Sequence, residues 1–107
     1  MATYGVVLIT ASSQSEAETI AHRLLQGKLA ACVTILPVQS IYIWQDSLHN
    51  DPEWQLIVKT DLDQFDALAA TVKTVHSYDV PEIIALPVVA GFQPYLDWIG
   101  AQVSQHD

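Results

Sequence analysis

The residues best suited to chemistry in this sequence follow one another in a short loop. His76 falls at the predicted end of a helix, Tyr78 comes two residues later, and Glu82 opens the next predicted strand. A helix C-terminus and a nearby carboxylate both favour an imidazolium, and imidazole and carboxylate groups are also metal ligands. The loop therefore predicts either a weak cation site or a histidine that caps the last carbonyls of its helix.

Two further side chains stand out because of the strands that carry them. Lys59 lies in an otherwise apolar strand and is one of only four Lys and Arg residues. Either it pairs with a carboxylate such as Glu82, or it points to solvent from a sheet with one wet face. Trp44 ends a long strand that also carries Tyr42, and both rings are suited to packing at an interface or to stacking on a ligand.

Signatures of common enzymes are absent from the sequence. It has no glycine-rich phosphate loop, no Gly-x-Ser-x-Gly and no His-Glu-x-x-His. No two histidines are spaced as a metal-binding pair on one strand or helix, so a closed zinc or copper site within one element is not encoded. Because no nucleophile and base can be paired, we expect a protein that is not an enzyme and has no tightly bound cofactor.

The elements that must position these residues follow from the spacing of apolar side chains. A buried strand over 4–10 precedes a helix that opens with the capping box Ser13-Gln14-Ser15-Glu16 and ends at Gly27 as a left-handed cap. In chain order the rest is predicted as an extended segment over 30–44, a turn over 45–52, a strand over 53–60, a helix capped by Asp61 or Asp63 and ending at Val75, a strand over 83–89, a short helix from Pro94 and a frayed tail from Ser104. Pro37 and Pro87 each lack a donor for a ladder hydrogen bond, which predicts edge strands or bulges.

This order predicts an α+β, ferredoxin-like fold, β-α-β-β-α-β with an extra C-terminal helix, as a single domain over residues 1–107. Right-handed crossovers place both long helices on one face of an antiparallel sheet. The other face is uncovered and apolar, in a chain that is 50% hydrophobic and 15% charged. Since exposed apolar patches usually mark interfaces, we expect a homo-oligomer.

The charge balance narrows the class of partner. Twelve Asp and Glu residues against four Lys and Arg give a net charge of −8, which excludes most nucleic-acid binders and attracts cations. No apolar run approaches the roughly 20 residues that cross a bilayer, so no membrane contact is expected. The N-terminus does not resemble a signal peptide and the chain has one cysteine, which favours a cytoplasmic location.

Five motifs closely resemble the CutA family, named for tolerance to divalent cations, and they occur in the family's order and spacing over essentially the whole chain. They are Lys28-Leu29-Ala30-Ala31-Cys32-Val33-Thr34-Ile35, Ser40-x-Tyr42-x-Trp44, Glu53-x-x-Leu56-x-x-Lys59-Thr60, His76-x-Tyr78-x-x-Pro81-Glu82, and Leu86-Pro87-Val88 with Gly91 and Tyr95-Leu96-x-Trp98. The resemblance implies a ferredoxin-like homotrimer with a metal-response role, and an architecture like that of the PII signalling proteins.

The resemblance also implies a weak site for a metal such as copper, or for a small ligand, in the cleft between subunits. Its predicted residues are Trp44, Lys59, His76, Tyr78 and Glu82, with His76 and Glu82 as the metal ligands. The alternative is a structural or interaction protein whose trimer surface docks a partner and which has no ligand of its own.

Three positions depart from the family pattern. Asp46 stands where family members usually carry glycine, so we expect the hairpin turn to differ. Ile9 and Val75 stand where a cysteine and a histidine have been credited as copper ligands, which leaves His76 alone of that set. Because Cu(II) normally takes several nitrogen or oxygen donors, we expect copper binding to be weak at best.

Overall fold

Four strands, three α-helices and one 3-10 turn make up residues 2–103, the part of the chain that this computed structural model describes. In chain order they are β1 (Tyr4–Ala11), α1 (Gln14–Gln26), β2 (Cys32–Trp44), β3 (Ser47–Asp61), the 3-10 turn (Leu62–Gln64), α2 (Phe65–Val75), β4 (Ile83–Pro87) and α3 (Gln93–Gln102). The predicted order of elements is confirmed, while the tail from Ser104, predicted to fray, lies outside the described residues. No helix within residues 2–103 is long and apolar enough to cross a membrane.

The strands form one antiparallel sheet in the order β2-β3-β1-β4, which confirms the ferredoxin-like prediction. Alternate residues of the two central strands are fully buried, because side chains alternate between the faces of a strand. The apolar stripes of α1 and α2 pack against this face. The fully buried members of the core include Val7, Ile9, Leu56 and Val58 from the sheet and Ile20, Leu24, Leu68 and Val72 from the helices.

The opposite side of the sheet, called here the open face, is also apolar. Val6 and Leu8 of β1 point to it, and their β4 partners are Leu86 and Ile84. These two β4 side chains are 48% and 50% exposed. The described part of the chain therefore leaves apolar surface of the sheet in contact with water.

A two-stranded arm, residues 38–53, extends beyond the other strands. The β2–β3 ladder runs on to the pair Trp44–Ser47, whereas β1 pairs with β3 only from Trp54 onward. The prediction of a turn over 45–52 is therefore wrong, since only Gln45 and Asp46 form the turn. Asn50-Asp51-Pro52 is typical of a turn, but a strand with a free edge also accepts a proline.

Two helix and strand ends also differ from the predictions. Gly27 has a φ of −82°, and the left-handed residue is Lys28 at 57°. The helix ends at Gln26, Gly27 follows it with an ordinary backbone conformation, and Lys28 takes the left-handed one, after which Leu29 N–H donates to the Leu24 carbonyl. Strand β4 ends at Pro87 rather than Val89. Both Pro37 and Pro87 do lie on edge strands, as predicted.

The turn at Gln45 and Asp46 keeps the two-residue form even though neither residue is glycine. Both have positive φ, 51° and 64°, the arrangement of a type I′ turn that favours Asn-Gly. A left-handed non-glycine residue costs about 1–2 kcal/mol, partly offset by the greater freedom of glycine in the unfolded chain.

Replacing this pair together (Gln45→Asn with Asp46→Gly) should raise the free energy of unfolding by about 1 kcal/mol, measured by urea denaturation at fixed protein concentration. The control is Asn50→Gly within β3, which should lower stability because glycine weakens a strand interior. A double variant no more stable than the parent would show that the turn is unstrained.

Candidate functional site

A cleft of about 760 Å³ lies between the arm and the loop that follows α2, called here the cleft loop (residues 76–82). Residues between 39 and 44 of β2 line one side, and Tyr78, Asp79, Val80 and Glu82 line the other. Glu53 and Gln55 of β3 contribute where the arm leaves the sheet. The volume falls within the range of about 300–1,000 Å³ that is typical of small-molecule sites.

A hydrogen bond joins the cleft loop to the arm. The Tyr78 hydroxyl donates to Glu53 Oε2 at 2.8 Å, and Glu53 is only 8% exposed. Burial, and then the hydrogen bond to this carboxylate, raise the pKa of the Tyr78 phenol well above its usual value. Tyr78 therefore stays protonated and acts as a donor that holds the loop against β3.

Glu82 lies exposed at the other end of the cleft. Gln55 Nε2 donates to the Ile9 carbonyl at 3.0 Å and reaches Glu82 Oε2 at 3.3 Å, so a side chain fixed to the sheet positions this carboxylate. The backbone of the loop is fixed as well, because Lys73 Nζ donates to the carbonyls of Tyr78 and Asp79 at 3.2 and 2.6 Å.

The lining of the cleft is acidic and aromatic. Glu53, Asp79 and Glu82 supply carboxylates, and no lysine or arginine is among the lining residues that the structure describes. Tyr42 and Trp44 of the arm, together with Tyr78, supply the rings. Such a surface attracts positive charge and repels phosphates and other anions.

His76, the first residue of the cleft loop, does not line the cleft. Its Nε2 is 2.7 Å from the Thr10 carbonyl oxygen, and its Nδ1 accepts from Tyr78 N–H at 3.0 Å. Because a carbonyl only accepts, Nε2 carries the proton and Nδ1 has none. His76 bridges β1 to the cleft loop instead of capping the carbonyls of α2, and neither nitrogen has a free lone pair for a metal.

Residues 2–103 of one chain do not assemble a transition-metal site. Within residues 2–103, no three His, Cys, Asp or Glu side chains form a group that could hold a metal ion. The predicted ligands His76 and Glu82 have separate hydrogen-bond partners, Thr10 and Gln55. The residues present therefore do not fit a Cu(II) site, which wants several converging nitrogen or oxygen donors.

The structure brings together three of the five predicted site residues, since Trp44, Tyr78 and Glu82 all line the cleft. Lys59 does not. It is paired with Val6 of β1, while Glu82 precedes the residue that pairs with Ile9. Of the two alternatives for Lys59, a contact with Glu82 within one chain is excluded, because the two positions are offset by about 13 Å along the sheet and lie two strands apart.

Sequence reasoning missed Glu53 and Gln55, the residues at the base of the cleft. Glu53, Gln55, Ile57 and Lys59 alternate along β3, which places them on one face. That alternation was a usable signal. Because residues 45–52 are typical of a turn, Glu53 was predicted to be the first residue of its strand, and its alternation with Gln55 was not used.

Glu16 connects the first helix to the cleft loop. Its N–H donates to the N-cap Ser13 Oγ at 3.1 Å, which confirms the first half of the capping box. Its carboxylate, however, accepts from Ser12 N–H and from Ser77 N–H, both at 2.9 Å, rather than from Ser13. One side chain thus fixes both the start of α1 and the start of the cleft loop.

This arrangement predicts a pH-dependent contribution to stability. Burial disfavours the charged form, but the hydrogen bonds from Ser12 and Ser77 outweigh it and lower the pKa of Glu16 below its usual 4.5. A lowered folded-state pKa stabilises the fold above the unfolded value and loses that effect as the pH falls through the folded value.

Glu16→Gln should therefore lower the melting temperature at neutral pH, and the difference from the parent should shrink in acid well below pH 4.5. Glu18→Gln, on the exposed side of the same helix, is the matched control and should have little effect at either pH. A deficit for Glu16→Gln that is equal at both pH values would contradict a role for the ionised carboxylate.

The sheet order, the two helices on one face and the cleft beside the arm define a ferredoxin-like α+β protein with an acidic, aromatic cleft. Sequence comparison gives the family. Residues 5–102 match the CutA1 divalent ion tolerance protein family. The chain therefore belongs to the CutA1 family.

Relatives and solved structures agree with this assignment. The chain is 50% identical to the divalent-cation tolerance protein CutA of Thermus thermophilus over 95 residues, which covers 88% of this chain and 92% of the relative. It is similar to the structure of the periplasmic divalent cation tolerance protein CutA from Archaeoglobus fulgidus, with a TM-score of 0.92, 42% identity and coverage of 94% and 99%. For CutA1 from Oryza sativa the TM-score is 0.94, with 38% identity and coverage of 98% and 97%.

Proposed function

We propose that this protein is a non-enzymatic, homotrimeric member of the divalent-ion tolerance family that binds a weak cationic ligand in the cleft beside its arm, within a PII-like signalling architecture. The family assignment supports the tolerance role. The apolar surface of one chain, on the open face and on the arm, is the observation that supports the homotrimer, and the acidic, aromatic lining of the cleft supports the cationic ligand.

The arm favours assembly with other copies of the chain. Ile41, Ile43 and Leu48 are 65%, 74% and 75% exposed near its tip, and within the described residues they have no layer to pack against. The open face adds Ile84 and Leu86. An isolated two-stranded hairpin is only marginally stable, so the arm needs a partner to pack against. We propose that a neighbouring copy of this chain covers both the arm and the open face.

In such a trimer the cleft lies beside the arm, which we propose contacts a neighbouring subunit. A ligand bound in the cleft can therefore change the surface that the arm offers to that subunit. Trp44, Tyr78 and Glu82 border it, and Lys59 faces the proposed interface from the open face. We also propose a cytoplasmic location, which cell fractionation would test directly.

Calorimetric titration of the metal-free protein with Cu(II), Zn(II) and a nucleotide tests the proposed ligand class. We expect weak binding of the cations and no binding of the nucleotide, because the lining carboxylates repel phosphate. Binding of the nucleotide in the cleft would contradict the proposal.

The same titration decides the role of His76. If His76→Ala loses the Cu(II) signal while His22→Ala keeps it, the imidazole leaves Thr10 and Tyr78 to bind the metal, as the sequence predicted. An unchanged signal, which the two hydrogen bonds of His76 favour, would put the contact at the carboxylates.

A second candidate function, docking of a protein partner, is favoured by one observation. Val89 and Phe92, between β4 and α3, are 95% and 76% exposed. If no cation binds even at millimolar concentration, this interaction role replaces the ligand-binding one.

A further inference from the structure

We propose that Lys59 of one copy forms an ion pair with Glu82 of a neighbouring copy, so that a second chain supplies a positive group to the cleft. The inference rests on the proposed function in one respect, that copies of this chain cover one another's open faces. It goes further by naming the two residues that set how the copies meet.

Lys59 is a positive group on the apolar open face. It is half-buried, and its register partners are Val6 of β1 and Cys32 of β2, neither of which is a carboxylate. Among the lysines that the structure describes, Lys73 alone donates hydrogen bonds to the protein. A copy that covers the open face would bury the Lys59 ammonium further, and a buried charge without a partner is costly. Such an interface therefore needs a carboxylate for Lys59.

The carboxylates on the same side of the sheet do not serve Lys59 within one chain. Asp61, two residues further along β3, is buried and accepts from the N–H groups of Thr3 and Asp63. Glu53 lies six residues back on the same strand, a distance of about 20 Å. Glu82 is two strands away and offset by about 13 Å along the sheet. A carboxylate from another chain is thus the natural partner.

Glu82 is the carboxylate that an outside lysine can reach. It is exposed, and Gln55, which lies on the same face of β3 as Lys59, reaches its Oε2 at 3.3 Å. Because Gln55 is neutral, it positions the carboxylate without cancelling its charge. Glu53, in contrast, is only 8% exposed and already accepts from the Tyr78 hydroxyl. No lysine or arginine of residues 2–103 lines the cleft beside Glu82.

The two charges lie at opposite ends of the open face. Lys59 is level with Val6, near the start of β1, whereas Glu82 precedes the residue that pairs with Ile9, near its end. In a closed ring of identical copies, each chain can give Lys59 to one neighbour and take a lysine at Glu82 from the other. Every Lys59 of the ring is then paired, and complementary charges fix the register of neighbouring copies.

A carbodiimide joins an amine to a carboxylate where the two are in contact, so it tests the pair in the unmodified full-length protein. Mass spectrometry of the digest should find an amide between Lys59 and Glu82, in chains that migrate at two and three times the chain mass under denaturing conditions. Since the two residues are out of reach within one chain, this amide must join two copies.

Lys59→Arg is the matched control for the coupling. Its guanidinium keeps the positive charge and can pair with Glu82, but it is not coupled by the carbodiimide. The variant should therefore keep the mass of the parent in solution and lose the covalent link. A parent assembly that yields no linked Lys59 and Glu82 would overturn the proposal.

Charge reversal tests the same pair by stability. Lys59→Glu and Glu82→Lys should each lower the melting temperature at fixed protein concentration, and the double variant should regain at least half of the summed loss. General repulsion cannot explain two losses, because the variants move the net charge of −8 in opposite directions. Arg23→Glu, on the exposed side of α1, makes the same charge change as Lys59→Glu and should cost less. No recovery in the double variant would overturn the ion pair.

The outcomes separate this inference from the proposed function. A trimer that gives no covalent link and no recovery on double reversal would overturn the ion pair and leave the homotrimer standing. A folded monomer at micromolar concentration would overturn the homotrimer and the ion pair with it.

Discussion

Leu86→Asp is expected to break the assembly into monomers or smaller species. Leu86 lies on the open face opposite Val6 and is 48% exposed in one chain, so a subunit that covers this face would bury the new charge. An unpaired buried charge costs several kcal/mol, more than most interfaces can lose at one position. Sedimentation velocity at micromolar concentration should show the lower mass, and the melting temperature should fall because assembly is linked to folding.

Leu25→Asp is the matched control for this experiment. Leu25 is 41% exposed, close to the value for Leu86, but it lies on α1 in the helical layer. The same change of leucine to aspartate there should leave the mass unchanged. If Leu86→Asp also sediments as the parent does, the open face is not the subunit interface.

The second large effect is expected in the core. Leu56 of β3 is fully buried, pairs with Ile9 on one side and Ile35 on the other, and faces the two helices. Leu56→Ala should lower the free energy of unfolding by about 2–5 kcal/mol, from lost apolar burial and the cavity left behind.

Urea denaturation at fixed protein concentration measures this loss of stability. Leu25→Ala removes the same atoms from a partly exposed site and should cost well under half as much. Equal losses for Leu56→Ala and Leu25→Ala would contradict the position of the core described here.

Local patterns were enough to predict most of the fold. The apolar run of β1, the capping box at Ser13 and the stripe of α2 each lie within one element, and each element forms as expected. The arm was not predicted, because Asn50-Asp51-Pro52 is typical of a turn and only the free edge of β3 makes a strand acceptable there.

The site was less predictable, because its geometry depends on contacts between distant parts of the chain. Tyr78 and Glu82 were found from their loop, but Glu53 becomes part of the site only through a hydrogen bond across 25 positions. The part played by His76 depends on the Thr10 carbonyl, 66 positions away. Residue types indicated a weak metal site, whereas separate hydrogen-bond partners hold the two predicted ligands, His76 and Glu82.

The central claim, that copies of this chain cover one another's open faces as a trimer, is tested most directly by the mass of the unmodified protein in solution. Sedimentation equilibrium over a dilution series into the micromolar range should give three times the chain mass of 11.8 kDa at every concentration. A folded species of 11.8 kDa under those conditions would contradict the account.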